Sequence, residues 1–583
     1  MDDLLDALAR LSDRLERLER RVSALERSSE TAKSRPSPAE APSTGTPAAE
    51  EFALPRAEGV FPVVGKAMLG IAGAYLLRAL AESGSLPQLA VVALALAYAG
   101  MWLLWAARVP ANVPFTSTAY AVTSGLILAP MLWELTLHFK VLPASATAGV
   151  LIAFVALASV LAWKRNLAPV LWVANVTAVF TALALMIATH ALAPFILALL
   201  IMALASEFAA DRNRWLRLRF LVAPAADLAV WILIYIYSLP ESSRSEYPAV
   251  PSAVLLALPS ALFLIYGASV ALRTTWLRQR IAIFEIVQTV IAFLLAAFGL
   301  LRFGGSAGTP VLGVFCLLLS AACYAFAYAY FDRYHEERNY HVYATWSGAL
   351  FLTGNSLCLP PMPLALCLSV AAIVATLLGV RASRLTLEFH GLLFLAAAAY
   401  ASGLLGYAGS ALVGTFPAVP GWIVWIVAAS VVPCYAVGGR FRTERWNQRL
   451  LQTLSAILAV AAVIVFLVSV LVWLAAIGMT PGASQVAVIR TLITCVVALA
   501  LAFSGSRWQR SELVWIAYGA LALVTAKLLF EDLQHGHPGS TAVSIFLYAV
   551  ALIIVPRMAR LGEQRRETES SSKASGASEI EVK

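Results

Sequence analysis

The apolar and polar positions divide the chain into four stretches. In the first, Leu4, Leu8, Leu11, Leu15, Leu18, Val22 and Leu25 recur in steps of four and three, a heptad seam with Leu8, Leu15 and Val22 at position a. Arg14 with Glu19, and Arg21 with Glu26, fall at g and the following e, where they would bridge two parallel helices. Residues 1–27 are therefore expected to form a short cytoplasmic coiled-coil helix that meets a second copy or a protein partner; a single helix lying on a bilayer is the rival reading. Residues 28–59 are rich in Pro, Ser, Thr, Ala and Glu and poor in large apolar side chains, the composition of a disordered tether.

From 60 to 556 the pattern changes to apolar runs of near-spanning length, eighteen in all, from 61–82 and 86–107 through 341–358 and 386–407 to 539–556. A membrane-crossing helix needs about 20 such residues. The expected fold class is all-α, a polytopic transmembrane helical bundle of about 18 spans. Residues 557–583 begin with Arg557, Arg560, Arg565 and Arg566, suited to an anionic inner leaflet, and end in a Ser-rich tail expected to be disordered.

The links between runs alternate in charge. Those after even-numbered runs hold twenty Lys and Arg, among them Arg212, Arg219, Arg273, Arg280, Arg381 and Arg442; those after odd-numbered runs hold only Lys140, Arg244 and Arg302. Basic residues stay on the cytoplasmic side. The alternation puts both termini inside a bacterial inner membrane and reads the domain as nine two-span hairpins with short outward turns. Trp102, Trp105, Trp133, Trp163, Trp422, Trp425 and Trp473 lie near run ends, as an interfacial belt requires.

Composition agrees with this class: 60% of residues are hydrophobic and 13% charged, against about 25% charged in soluble domains. The net charge of +9 sits in short links, not on one soluble face, so it points to membrane lipids and away from nucleic acid. Six cysteines show no zinc spacing; Cys358 and Cys367 flank a Pro-rich turn and could pair on an oxidising side. No apolar core precedes the first run, so no cleaved leader is expected.

The first run, G-K-A-M-L-G-I-A-G-A-Y-L-L-R-A-L-A-E-S-G over 65–84, carries Lys66, Arg78 and Glu82. Ala67, Gly70 and Ala74 leave one face nearly bare, so a neighbouring helix can come close. Lys66 is expected to snorkel, and Arg78 to pair with Glu82 at i, i+4, unless these charges form a functional polar site.

Sorted by the orientation above, the ionisable residues in or near runs form an outer set (Arg78, Glu82, Glu134, His138, His190, Arg302, Lys527, Glu531, Asp532) and an inner set (Lys66, Glu207, Asp227, Glu285, His390). Each is costly in hydrocarbon unless paired or hydrated. Lys66, Arg78, Glu82, Glu134, Asp227, Glu285, Lys527, Glu531 and Asp532 are the candidates for either a substrate site or structural ion pairs. Asp227, deepest of the inner set, could carry protons or cations, or bond to a neighbour such as Asn175. His535 and His537 are too few for a metal site. No P-loop, G-x-S-x-G, H-E-x-x-H or dinucleotide fingerprint occurs in a suitable setting, so no catalytic residue, metal or cofactor is expected.

The coiled coil, the tether, the first run with G-K-A-M-L-G-I-A-G-A-Y-L-L-R-A-L, the hairpins and the late K-L-L-F-E-D-L together resemble the bacterial multi-pass membrane proteins grouped as domain of unknown function 2339. Gly65, Lys66, Gly70, Gly73, Leu77, Lys527 and Asp532 carry the resemblance, which implies a bacterial inner-membrane protein and no activity. Three functions fit: a transporter or flippase for an envelope or lipid-like substrate, a membrane scaffold or assembly factor, and an enzyme on a lipid-linked donor, for which Glu82 is the acidic candidate.

Overall fold

A computed structural model describes residues 57–83, 87–110, 113–212, 215–333, 336–412, 419–438, 446–476, 483–508, 510–532 and 538–581. The chain divides at Pro62 into two units, Met1–Pro62 and Val63–Lys583. The expected coiled coil over 1–27, and the tether up to residue 56, lie outside the described residues.

Nineteen α-helices are described. The first nine are α1 (Ala57–Glu82), α2 (Gln88–Arg108), α3 (Pro114–Trp133), α4 (Ala144–Arg165), α5 (Ala168–Ala188), α6 (Leu192–Asp211), α7 (Arg219–Ser238), α8 (Ser252–Thr275) and α9 (Ile283–Phe303). Then come α10 (Gly305–Ala325), α11 (Glu337–Cys358), α12 (Pro361–Ala382), α13 (Leu385–Ala401), α14 (Leu404–Leu412), α15 (Trp422–Gly438), α16 (Trp446–Ala476), α17 (Ala483–Arg507), α18 (Ser511–Lys527) and α19 (Pro538–Glu581). Three of them run on into π-helical turns, at Glu134–His138, Phe326–Phe331 and Leu528–Asp532.

Every expected apolar run falls on a helix. Fourteen helices are long and apolar enough to cross a membrane, or fifteen when α13 and α14, bent by 66°, count as one. This is a multi-pass membrane protein. Of the other three runs, α11 carries Asn339, His341, Ser347 and Asn355, α15 has only 17 residues, and α1 begins in residues whose side chains lie outside those described. The bend falls at Ser402–Gly403, where Gly403 takes φ +79°, which only glycine adopts cheaply. At the end of the chain α19 continues through Pro556 to Glu581, where a disordered tail was expected. The stretch R-M-A-R-L-G-E-Q-R-R-E after Pro556 is rich in strong helix formers.

Packing is local along the chain. One apolar core joins α2 to α9, a second joins α12 to α17, and a third joins α17, α18 and α19. An aromatic cluster of Phe331, Tyr340 and Tyr343 ties α10 to α11. The most extensive pairs are α12 with α13, α10 with α11 and α17 with α19, and among helices consecutive in the chain five stand out: α2 with α3, α8 with α9, α10 with α11, α12 with α13, and α17 with α18. All five are joined by basic links, so the tight hairpins are out of phase with the outward-turning ones expected. Small residues and tight turns explain the α12–α13 pair: Ser383 at φ +54° reverses the chain, and a Cβ on Gly379 would stand 2.8 Å from the Glu388 nitrogen.

Candidate functional site

Four helix ends converge on a buried ring of charge. Glu207 and Asp211 stand four residues apart at the end of α6, Arg219 opens α7, and Ser269 and Arg273 stand four apart near the end of α8. Glu285 is the third residue of α9, where its Oε2 accepts the Ala282 N–H at 2.9 Å and so caps the helix. Arg219 donates from Nε and Nη2 to the two oxygens of Glu207, at 2.7 and 2.9 Å, and from Nη1 to Glu285 at 3.0 Å. The Arg273 guanidinium reaches the same Glu285 oxygen, and its Nε lies 3.6 Å from Asp211. The Ser269 hydroxyl closes the ring, 2.8 Å from Glu207 and 3.3 Å from Asp211. Asn339 of α11 fixes the adjoining link, accepting the Ile281 N–H at 3.0 Å and donating to the Gln279 carbonyl at 3.1 Å.

The ring corrects the reading of two arginines. Arg219 and Arg273 were assigned to basic links, yet their side chains are 7% and 8% exposed and held by carboxylates. Three carboxylates face two guanidiniums, an excess of one negative charge when all are ionised. Each group has a partner of opposite charge, which is what a buried ion needs to be tolerated.

Asp227 lies two turns deeper on α7 and outside that ring. Both its oxygens accept from one donor, the Gln288 Nε2 of α9, at 2.8 and 2.9 Å. The expected contact with Asn175 is absent, because Asn175 donates to its own helix at the Leu171 carbonyl, 2.9 Å away. Asp227 is half-buried, flanked on α7 by the exposed Pro224, Leu228 and Trp231. Two buried hydroxyls on the facing helices, Tyr266 of α8 and Thr289 of α9, have no hydrogen-bond partner among the described residues.

The remaining candidates do not join these groups. Arg78 makes the expected pair with Glu82 at 3.0 Å and adds Glu134 at 3.2 Å, linking α1 to the turn after α3. Gly70 allows this approach, since a Cβ there would lie 2.5 Å from the Trp102 ring. Trp102 is thus a packing residue and not part of an interfacial belt. Lys527 donates to the Ala487 carbonyl at 2.8 Å and to the Thr491 hydroxyl at 2.9 Å, both on α17. Glu531 and Asp532 have backbone in the π turn, and their side chains lie outside the described residues. His190 faces Glu246 at 3.4 Å, Arg302 donates to the Ser238 carbonyl at 3.1 Å, and His390 meets the Tyr324 hydroxyl at 3.0 Å. Lys66 lines a groove of about 600 Å³ between α1, α2 and α3.

Asp211, Arg219, Ser269 and Arg273 went unrecognised as site residues; their signal was the i, i+4 spacing of polar groups at the ends of α6 and α8. Arg490 was also missed, a buried cation within α17 whose Nε donates to the Ala411 carbonyl at 3.1 Å. The six cysteines are free: Cys367 donates to Asn355 at 3.4 Å and Cys358 faces the Pro310 carbonyl, so the disulfide considered between them is not formed. Among the described residues no group of three His, Cys, Asp or Glu side chains is placed to hold a metal. Comparison with protein-family models, curated proteins and solved structures returns no match, so function has to be argued from this geometry.

Proposed function

We propose that the chain is a bacterial inner-membrane protein, both termini cytoplasmic, that transports or flips an envelope or lipid-like substrate through an eighteen-span bundle. Asp227 carries this reading. A carboxylate in a span costs about 2.5–3.5 kcal/mol when unpaired, and in the ring next to it every charge has a partner of opposite sign. Asp227 has a neutral amide instead, the Gln288 Nε2. Charges kept in spans without such a partner mark substrate or ion pathways. Membership of the family that the chain resembles is part of the same proposal and adds no activity to it.

Deletion of the gene followed by lipid and glycan profiling of the envelope tests the reading. The wild-type chain is expected to restore the profile, and Asp227→Asn, made at the same level, to leave it as in the deletion. Full restoration by Asp227→Asn overturns the proposal.

A scaffold or assembly factor is the second reading, favoured by the ring and by the Arg78–Glu82–Glu134 cluster, in which charges clamp helices together. On that reading the coiled coil over 1–27 holds copies or a partner, and its deletion alone reproduces the loss of the whole chain. The enzyme reading is weakened by Glu82, which is ion-paired with Arg78.

A further inference from the structure

The groove that holds Lys66 has a chemical polarity of its own. Its wall on α2 is one helix face, Tyr98, Met101, Trp102, Trp105 and Arg108, and α1 supplies Lys66, Leu69 and Gly70. The two helices are held where the Tyr98 hydroxyl donates to the Gly70 carbonyl at 3.0 Å and where Gly70 abuts Trp102. They run in opposite directions there. Lys66 lies one turn before Gly70, about 6 Å along the axis, and Arg108 lies six residues after Trp102, about 9 Å along the same direction. Both cations therefore stand at one mouth of the groove and the apolar wall continues away from them. Neither has an ion-pair partner among the described residues, and both are exposed.

We propose that this groove binds an anionic phospholipid of the inner leaflet, its phosphate between Lys66 and Arg108 and its acyl chain along Leu69, Met101 and Trp105. Two uncompensated cations at one mouth call for an anion with more negative charge than a zwitterionic headgroup offers. A soluble anion would satisfy the cations and leave the wall bare, including Leu69, 74% exposed. The groove volume of about 600 Å³ suits a ligand with a chain. The mouth lies at the end of α2 that the basic links assign to the cytoplasm, which selects the inner leaflet.

The proposal goes beyond the transport reading, which stands on Asp227, and the two fail separately. Full-length protein in mild detergent is titrated with phosphatidylglycerol or phosphatidylethanolamine and bound lipid is counted by native mass spectrometry. Phosphatidylglycerol is expected to bind more tightly; Lys66→Gln with Arg108→Gln should weaken it about 25-fold, at about fivefold for each cation, while Lys66→Arg keeps binding. Equal affinity for both lipids, an unchanged double variant, or displacement of the lipid by inorganic phosphate overturns the proposal. So does a disulfide between copies bearing Leu69→Cys, which would place a second chain on the groove. Asp227→Asn should leave lipid binding intact, so a failure of transport there does not touch this site.

Discussion

Removal of Arg219 tests the ring most directly, because the structure states what each neighbour loses. Arg219→Met deletes three charge-assisted hydrogen bonds, two to Glu207 and one to Glu285. Glu285 keeps Arg273 and the Ala282 N–H, whereas Glu207 keeps only the Ser269 hydroxyl. The stranded charge is Glu207, with a side chain 3% exposed. Three such bonds at about 1.5 kcal/mol or more each set the gross loss, and release of the guanidinium from burial offsets part of it. Breaking a buried pair on one side costs about 3–5 kcal/mol, and about 4 kcal/mol is the expected loss. Adding Glu207→Leu removes the stranded carboxylate, so the double variant should recover to within about 2 kcal/mol of wild type, a coupling near the upper end for contacting residues. Equilibrium unfolding in mixed micelles, followed by tryptophan fluorescence, compares Arg219→Met, Glu207→Leu and the double variant with wild type. A single variant that loses less than about 1 kcal/mol, or a double variant that loses the sum of both, refutes the ring as a clamp.

Two further outcomes follow from the same geometry. On a cysteine-free background, Ser243→Cys in the link before α8 should react only with an impermeant thiol reagent added outside, and Arg280→Cys in the link after α8 only with reagent added inside; the reverse result inverts the orientation. Gly391→Val in α13 should lower stability by about 1–3 kcal/mol through overpacking, since a Cβ there lies 2.4 Å from the Thr376 hydroxyl and 3.1 Å from the Ala372 carbonyl. An unshifted thermal midpoint would show α12 and α13 to be further apart than described.

Helix positions were legible because hydrocarbon leaves the backbone one solution: an apolar run of sufficient length must satisfy its own hydrogen bonds. The runs therefore land on helices from Ala57 to the end of the chain, and the bare face of Ala67, Gly70 and Ala74 does bring α1 against Trp102. Pairing of helices was less legible. A hairpin read from charge says which side a link is on and nothing about which neighbour packs closely; that depends on small residues such as Gly379 and on reversals such as Ser383, whose left-handed φ has no strong signature in serine. The site was legible in halves. Arg78 with Glu82 follows from spacing on one helix, whereas Arg219 with Glu285 spans 66 positions and Ser269 with Glu207 spans 62, distances fixed only by the packed bundle. Asp227 stands out in the sequence for its depth in a run, but its partner is Gln288 and not Asn175. Gln288 carries no charge, so a count of charged residues passes over it.

The ring also bears on which side of the bilayer its helix ends occupy. Arg219 and Arg273 owe their place to Glu207, Asp211 and Glu285, so they say nothing about which side of a bilayer they prefer. Setting them aside leaves eighteen basic residues after even-numbered runs against three after odd-numbered ones, still strongly one-sided. The carboxylates strengthen the case further. Four helix ends that meet in one ring must lie at one level of the bundle, so the links 6–7 and 8–9 are on the same side by geometry as well as by charge. Two independent physical effects, the cost of moving arginine across a membrane and the cost of leaving a buried carboxylate alone, thus assign the same ends of α6, α7, α8 and α9 to one face.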